Sequence, residues 1–298
     1  MIRSLLLLTA GCAFGAVHEH PGGGELPHDK YIRVVSEKDS PVERVYVKTK
    51  DGLYVAAALR KPKGDGPFPV LIHFHGAPGG RGMEKLVEWS SGSTGGPVWE
   101  RFLKEGYVVV VADYRRIPGP NGIVEPPPVP NSVGFIDDGL SIVDYVRSLP
   151  YINKDQINLY GVSLGGDLVI NLSARTKVNA AILGAPAPFN FLGLSFPTPE
   201  NPKPEANPEI AAKDAAAVQC PILIFAGTAD QLLPLDHDLY ERLEKAGKNV
   251  TLEIYQDGYH DFVMGPQGHP GRKEPLMGAT LDALDRAVRF TRNPAEYR

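Results

Sequence analysis

Two cysteines in 298 residues are too few for a disulfide framework. Cys12 falls in an apolar N-terminal stretch. Cys220 stands alone before Pro221-Ile222-Leu223-Ile224-Phe225, where a small buried hydrophobe is expected rather than a reactive thiol. There is no G-x-G-x-x-G and no P-loop, so no nucleotide or flavin is implied. No set of Cys, His and Asp has zinc-like spacing. His73-x-His75 sits within and just after an apolar run, and His18-x-His20 in a polar leader expected to be disordered. Neither metal nor cofactor is therefore expected. A net charge of −4 with interspersed signs leaves no basic face for nucleic acid, and no apolar run approaches the length of a bilayer span. These absences point to a small-molecule substrate.

What is present begins with an export pattern. Arg3, the run Leu5 to Leu8 and the small residues up to Ala16 follow the order charge, apolar run, cleavage site. Residues 1–16 are read as a signal peptide, with cleavage near Ala13-Phe14-Gly15 releasing a periplasmic or secreted protein. Alternatively, Thr9-Ala10-Gly11-Cys12 resembles a lipobox, and lipidation of Cys12 is the one route to membrane attachment. Residues 17–40 form the polar leader. With 43% apolar residues and no linker, residues 41–292 are expected to form one α/β domain. Oligomeric state is not legible.

Within that domain, Arg44 to Thr49 and Leu53 to Leu59 read as antiparallel strands joined by the turn Lys50-Asp51-Gly52. Strands are also expected at Val70 to Phe74, Tyr107 to Ala112, Ile157 to Tyr160, Ala180 to Leu183, Ile222 to Phe225 and Val250 to Tyr255. Several are nearly continuous apolar runs, as in a parallel sheet covered on both faces. Helices are expected near Val98 to Lys104, through Ile136, Leu140, Val143 and Val146, over Asp167 to Ala174, through Leu235, Leu239, Leu243 and Ala246, and through Met277, Leu281, Leu284 and Val288. Asp137, Asp138 and Asp144 are expected away from the apolar face of their helix. The Pro-rich stretch Ile117 to Pro130 must cross the surface. Residues 186–208 read as a short cap insertion, whose Phe189, Phe191 and Phe196 line an acyl or aryl pocket or simply pack.

One motif carries chemistry. An apolar strand runs into Gly161-Val162-Ser163-Leu164-Gly165-Gly166 and a small-residue helix leaves it, the context that turns G-x-S-x-G into a strained nucleophile elbow. A serine hydroxyl is a weak nucleophile until a base takes its proton. Asp230 follows the Ile222-to-Phe225 strand and His260 the Val250-to-Tyr255 strand, so both are placed on the rim where Ser163 ends its own strand. His260 is the candidate base and Asp230 its orienting acid, with Asp236, Asp238 and Asp257 as competing acids. For the oxyanion, the Leu164 N–H opens a helix, and a second donor is assigned to Ala77 in His75-Gly76-Ala77-Pro78-Gly79-Gly80.

Together with Pro69 to Gly80, Ala112-Asp113-Tyr114-Arg115, Gly227-Thr228-Ala229-Asp230 and Gly258-Tyr259-His260-Asp261-Phe262, this elbow resembles the α/β-hydrolase superfamily. The likeness is to the prolyl-oligopeptidase catalytic domain and dienelactone-hydrolase branch. The resemblance implies the α/β-hydrolase fold and the triad Ser163, Asp230 and His260, in that superfamily's chain order. A serine stands where dienelactone hydrolases carry cysteine. The activity expected is cleavage of carboxylic esters through an acyl-enzyme. A small serine peptidase or amidase, and a hydrolase fold kept as a binding module, are the alternatives.

Overall fold

A computed structural model describes residues 15–20, 38–77, 79–91, 97–115, 133–194, 205–260, 262–264 and 277–297. Its centre is a nine-stranded sheet: β1 (Ala16–His20), β2 (Val42–Lys48), β3 (Tyr54–Arg60), β4 (Phe68–Phe74), β5 (Val108–Ala112), β6 (Ile152–Val162), β7 (Ala180–Gly184), β8 (Ile222–Gly227) and β9 (Val250–Tyr255). The spatial order is β1-β9-β8-β7-β6-β4-β5-β3-β2. From β1 to β5 every neighbouring pair is parallel. The pairs β5–β3 and β3–β2 at one edge are antiparallel, so β3 alone runs against the rest of the sheet. The hairpin expected at Lys50 to Gly52 is present, with Thr49 N–H donating to Leu53 O and Gly52 N–H to Thr49 O.

Why these runs become strands is plain in β5, where Val108-Val109-Val110-Val111-Ala112 is buried throughout. Branched side chains fill both faces of a covered parallel strand. On β4 the faces alternate. Val70, Ile72 and Phe74 join the core under α3 (Val133–Ser148), α4 (Leu164–Ser173), α6 (Pro208–Ala217) and α7 (Leu233–Lys245). Leu71 joins the opposite core, under α1 (Met83–Ser90), α2 (Pro97–Lys104) and α8 (Met277–Arg292). Helices on both faces leave only the strand ends open for chemistry. Among the described residues, no helix is long and apolar enough to cross a membrane.

Three elements escaped the periodicity: α1, α6 and the one-turn α5 (Phe189–Leu192). Helix α6 opens with Pro208 after an Asn207 cap whose Oδ1 accepts from the Glu209 and Ile210 N–H groups at 3.1 and 3.2 Å. Two expectations are corrected. The start of the polar leader is not disordered, because Ala16–His20 adds a parallel strand to the edge of β9 and its two histidines face the buried Glu253 carboxylate. Asp138 does not face solvent. It is fully buried, and the Arg115 guanidinium spans from it to Asp51, at 2.6 Å to each, tying α3 to the β2–β3 hairpin. Cys220 is buried as expected, and burial pushes its thiol up to about 12. The Pro-rich stretch Ile117 to Pro130, the signal segment to Phe14 and Phe196 lie outside the described residues.

Candidate active site

Strand β6 ends at Val162 and α4 begins at Leu164, so the chain must reverse direction on one residue. That residue is Ser163, with φ 54° and ψ −120°. A non-glycine side chain in that region costs about 1–3 kcal/mol, and such strain persists only where neighbours enforce it. Here they do. Ser163 N–H donates to Gly184 O on β7, while Ser163 O accepts from Gly166, Asp167 and Ala187 N–H groups. The flanking glycines are obligatory on contact grounds. A Cβ on Gly165 would lie 2.1 Å from Phe74 O, and one on Gly161 would lie 2.1 Å from Gly165 O. The motif spacing is therefore a packing requirement between the elbow and the end of β4.

The acid and the base arrive on two interlocked loops. Asp230 follows β8, its side chain fully buried, and His260 follows β9, with its side chain 28% exposed. His260 Nδ1 donates to Asp230 Oδ2 at 2.9 Å, and Asp230 Oδ1 accepts from Leu232 N–H at 3.0 Å. Ala229 N–H donates to Gly258 O, and Asp257 N–H to Thr228 Oγ1, so each loop holds the other in place. Parallel pairing puts the ends of β6, β8 and β9 on one rim. With only β7 between them, β6 and β8 lie about 10 Å apart, two strand spacings. Of the competing acids, only Asp230 carries the histidine. Asp238 pairs with Arg242 on α7, and Asp257 N–H and side chain serve a turn. Asp236 is fully buried, with no hydrogen-bond partner for either carboxylate oxygen among the described residues. Burial, and then the charge of Asp230, push its carboxyl well above the usual carboxylate range.

The loop assigned to the oxyanion follows β4. A Cβ on Gly76 would come 3.3 Å from Ser163 Cβ, which places Gly76 beside Ser163. Leu164 N–H opens α4, where first-turn donors have no intrahelical acceptor. What shapes the loop is Asp113, at the end of β5. It accepts from His75 Nε2 at 3.0 Å and from the Gly80, Gly82 and Tyr114 N–H groups at 2.8–2.9 Å. Burial opposes its charge, but the His75 bond and these N–H donors hold its carboxyl below the usual range. The Tyr114 ring stacks on His75 at 4.7 Å, and its hydroxyl donates to His75 O. In the sequence Asp113 is one residue of the run Ala112-Asp113-Tyr114-Arg115, and its signal is an acid at the end of an all-apolar strand. Asp113→Ala strands the buried His75 Nε2 and Tyr114 N–H donors, each costing about 1–3 kcal/mol. Its expected result is a marked fall in melting temperature, with a kcat loss of about 10- to 100-fold as the loop drifts. Calorimetry and ester kinetics on the purified variant check both.

Beside α5, Asp167 on α4 is fully buried. Its carboxylate accepts from the Asn190 and Phe191 N–H groups, each at 3.1 Å, and from the Asn190 and Asn171 side-chain amides. This anchor was not foreseen. Phe191 is fully buried in the core and Phe189 packs against the same cluster, as the packing alternative for these aromatics has it. Burial pushes the Asp167 carboxyl up to about 7, against the pull of its donors. An acid whose folded pKa is raised has its full stability below the unfolded value of 3.8 and loses it as pH rises towards 7. Asp167→Asn is expected to flatten that decline, measured by urea unfolding at pH 5 and pH 8.

His73, on β4, stacks against Tyr160 and meets Trp99 edge-on, and neither ring nitrogen has a hydrogen-bond partner among the described residues. Burial, and then the charge of His75, lower it to about 3, so it stays neutral. Among the described residues no group of three or more His, Cys, Asp or Glu is arranged to hold a metal.

With this geometry in place, comparison with known proteins gives the family of this chain and the structures that share its fold. The profile of the dienelactone hydrolase family matches residues 55–290. This chain belongs to that family. As a member, it is 27% identical over 235 residues to the quorum-quenching protein AidA of Acinetobacter baumannii, a match spanning 76% of this chain and 72% of that protein. The hyperthermophilic esterase of Pyrobaculum calidifontis superposes with a TM-score of 0.61 at 17% identity, covering 89% of this chain and 88% of the esterase. Porphyromonas gingivalis dipeptidyl peptidase 4 superposes with a TM-score of 0.60 at 22% identity, over 85% of this chain and 35% of the peptidase. The common ground is the α/β-hydrolase fold, and esterases and peptidases both occur on it.

Proposed function

We propose that this dienelactone hydrolase family member is a serine hydrolase that cleaves carboxylic esters through an acyl-enzyme on Ser163. The observation that carries the reading is the strained Ser163 elbow on the rim that also bears the 2.9 Å His260–Asp230 pair. With Nδ1–H held by Asp230, His260 presents Nε2 as the base. Ser163 Oγ attacks the ester carbonyl carbon and its proton passes to His260. The Leu164 and Ala77 N–H groups take the oxyanion. Collapse of the tetrahedral species expels the alcohol, which leaves with the proton from His260. Water, deprotonated by the same imidazole, then releases the carboxylic acid and frees Ser163. No charge beyond the triad is needed at any step.

Esters are placed ahead of amides because an alkoxide needs less protonation to leave than an amine. Export is part of the proposal: removal of residues 1–16 takes only Ala16 from β1 and leaves Val17 to His20. The test is labelling with a fluorophosphonate, with the modified peptide mapped by mass spectrometry, beside a panel of nitrophenyl esters and the matching aminoacyl amides. Labelling at Ser163 with esters turned over faster supports the reading. Faster amide turnover replaces it with the peptidase reading, and absence of labelling in folded protein replaces it with a binding module.

A further inference from the structure

Glu253 stands in the middle of β9 with its side chain fully buried. A buried carboxylate costs several kcal/mol unless its oxygens are paired. Four groups converge on it: Tyr297 Oη at 2.7 Å, Arg286 Nη1 at 3.3 Å, His18 Nδ1 at 3.2 Å and His20 Nε2. Two of the four come from β1, where His18 is the direct register partner of Glu253. Burial alone would raise the Glu253 carboxyl, but His20, Tyr297, Arg286 and His18 hold it below the usual range.

The same strand reaches the catalytic loop. The His20 carbonyl accepts from Gln256 N–H at 2.9 Å, just past the end of β9. The His20 ring stacks on Tyr255 at 4.7 Å, and Tyr255 packs on Phe262 at 5.0 Å. Tyr255 Oη donates to Asp282 Oδ2 at 2.7 Å, and Asp282 also takes Arg286 Nε, closing a circuit back to Glu253. His260 therefore lies on a loop whose entry at Gln256 and whose exit at Phe262 both rest on groups that β1 supports.

Granted the proposed hydrolase site, we propose that the Ala16–His20 strand is a clamp on the catalytic histidine. Docked through His18 and His20 on Glu253, it fixes the exit of β9 from which the His260 loop departs. Glu253, His20 and Tyr255 are then positioning residues for the reaction, acting from outside the triad and touching no substrate.

The experiment compares the full-length protein with the double variant His18→Ala/His20→Ala and the double variant His18→Gln/His20→Gln, whose amides still donate to a carboxylate. The alanine pair is expected to lower kcat on nitrophenyl acetate about tenfold, the scale of a sub-ångström misplacement. KM should stay within about twofold, since substrate contacts are unchanged. Fluorophosphonate labelling of Ser163 should slow in proportion, and hydrogen exchange should quicken at residues 250–264 while the central strands stay protected. The glutamine pair should recover most of the rate. Wild-type kcat in an alanine pair whose residues 16–20 exchange freely overturns the proposal. So does a kcat loss accompanied by faster exchange throughout the sheet, because the strand then supports the fold and not the loop. An unlabelled wild-type protein instead sinks the hydrolase reading on which the clamp rests.

Discussion

Ser163→Ala is expected to lower ester hydrolysis by about 10⁴-fold or more, leaving at most the residual rate that an oxyanion site and binding supply without a nucleophile. The expectation rests on the elbow geometry, in which φ 54° leaves the hydroxyl at the rim while the backbone is tied to Gly184, Gly166 and Ala187. Alanine keeps those bonds, so the variant should fold with a melting temperature close to that of the parent. Ser163→Gly should melt higher, because glycine occupies positive φ without the strain of about 1–3 kcal/mol. Steady-state kinetics and calorimetry on the three proteins separate the loss of chemistry from any loss of structure. Retention of more than about one per cent of the parental kcat in Ser163→Ala would move the nucleophile elsewhere.

Asp230→Asn should be nearly as severe, at about 10⁴-fold in kcat, because an amide in place of the carboxylate favours the wrong imidazole tautomer and no longer stabilises the imidazolium. The contact at risk is the 2.9 Å bond from His260 Nδ1. The loss should be largest near neutral pH and should shrink as pH rises, where hydroxide replaces the base. Asp238→Asn and Asp257→Asn, which alter acids placed on Arg242 and on a turn, should leave kcat within about threefold, the range of surface substitutions. Asp236 is the more telling comparison. Burial and the neighbouring Asp230 already disfavour its charge, so Asp236→Asn should preserve kcat, although it lies six residues from Asp230. A profile in which Asp236→Asn is the damaging change would transfer the acid's role to α7.

Much of the site was readable because the chemistry is written locally. Gly161-x-Ser163-x-Gly165 follows a strand and opens a helix, and Asp230 and His260 each follow an apolar strand. In a parallel sheet such positions share a rim whatever lies between them. The supports of the site were not readable in the same way. Asp113, Asp167 and Glu253 each look like one more acid near an apolar stretch. Their roles come from N–H groups and side chains up to 235 residues away that pair with them only after folding. Helix periodicity also misled at Asp138, where polar residue type suggested an exposed face, while Arg115 on a neighbouring element makes burial tolerable.

The amino-acid order by itself determined the hydrophobic strands, the covered parallel sheet, the Gly161-x-Ser163-x-Gly165 turn and the chain order of Ser163, Asp230 and His260. Each depends on side-chain periodicity and steric limits acting over a few residues. Only the tertiary structure decided that His18 and His20 form an edge strand on β9, that Phe191 is core, and which acids brace the catalytic loops. The reason is energetic. A buried charge or an edge strand is stable only when partners distant in sequence supply its hydrogen bonds, and those partners exist only in the folded chain.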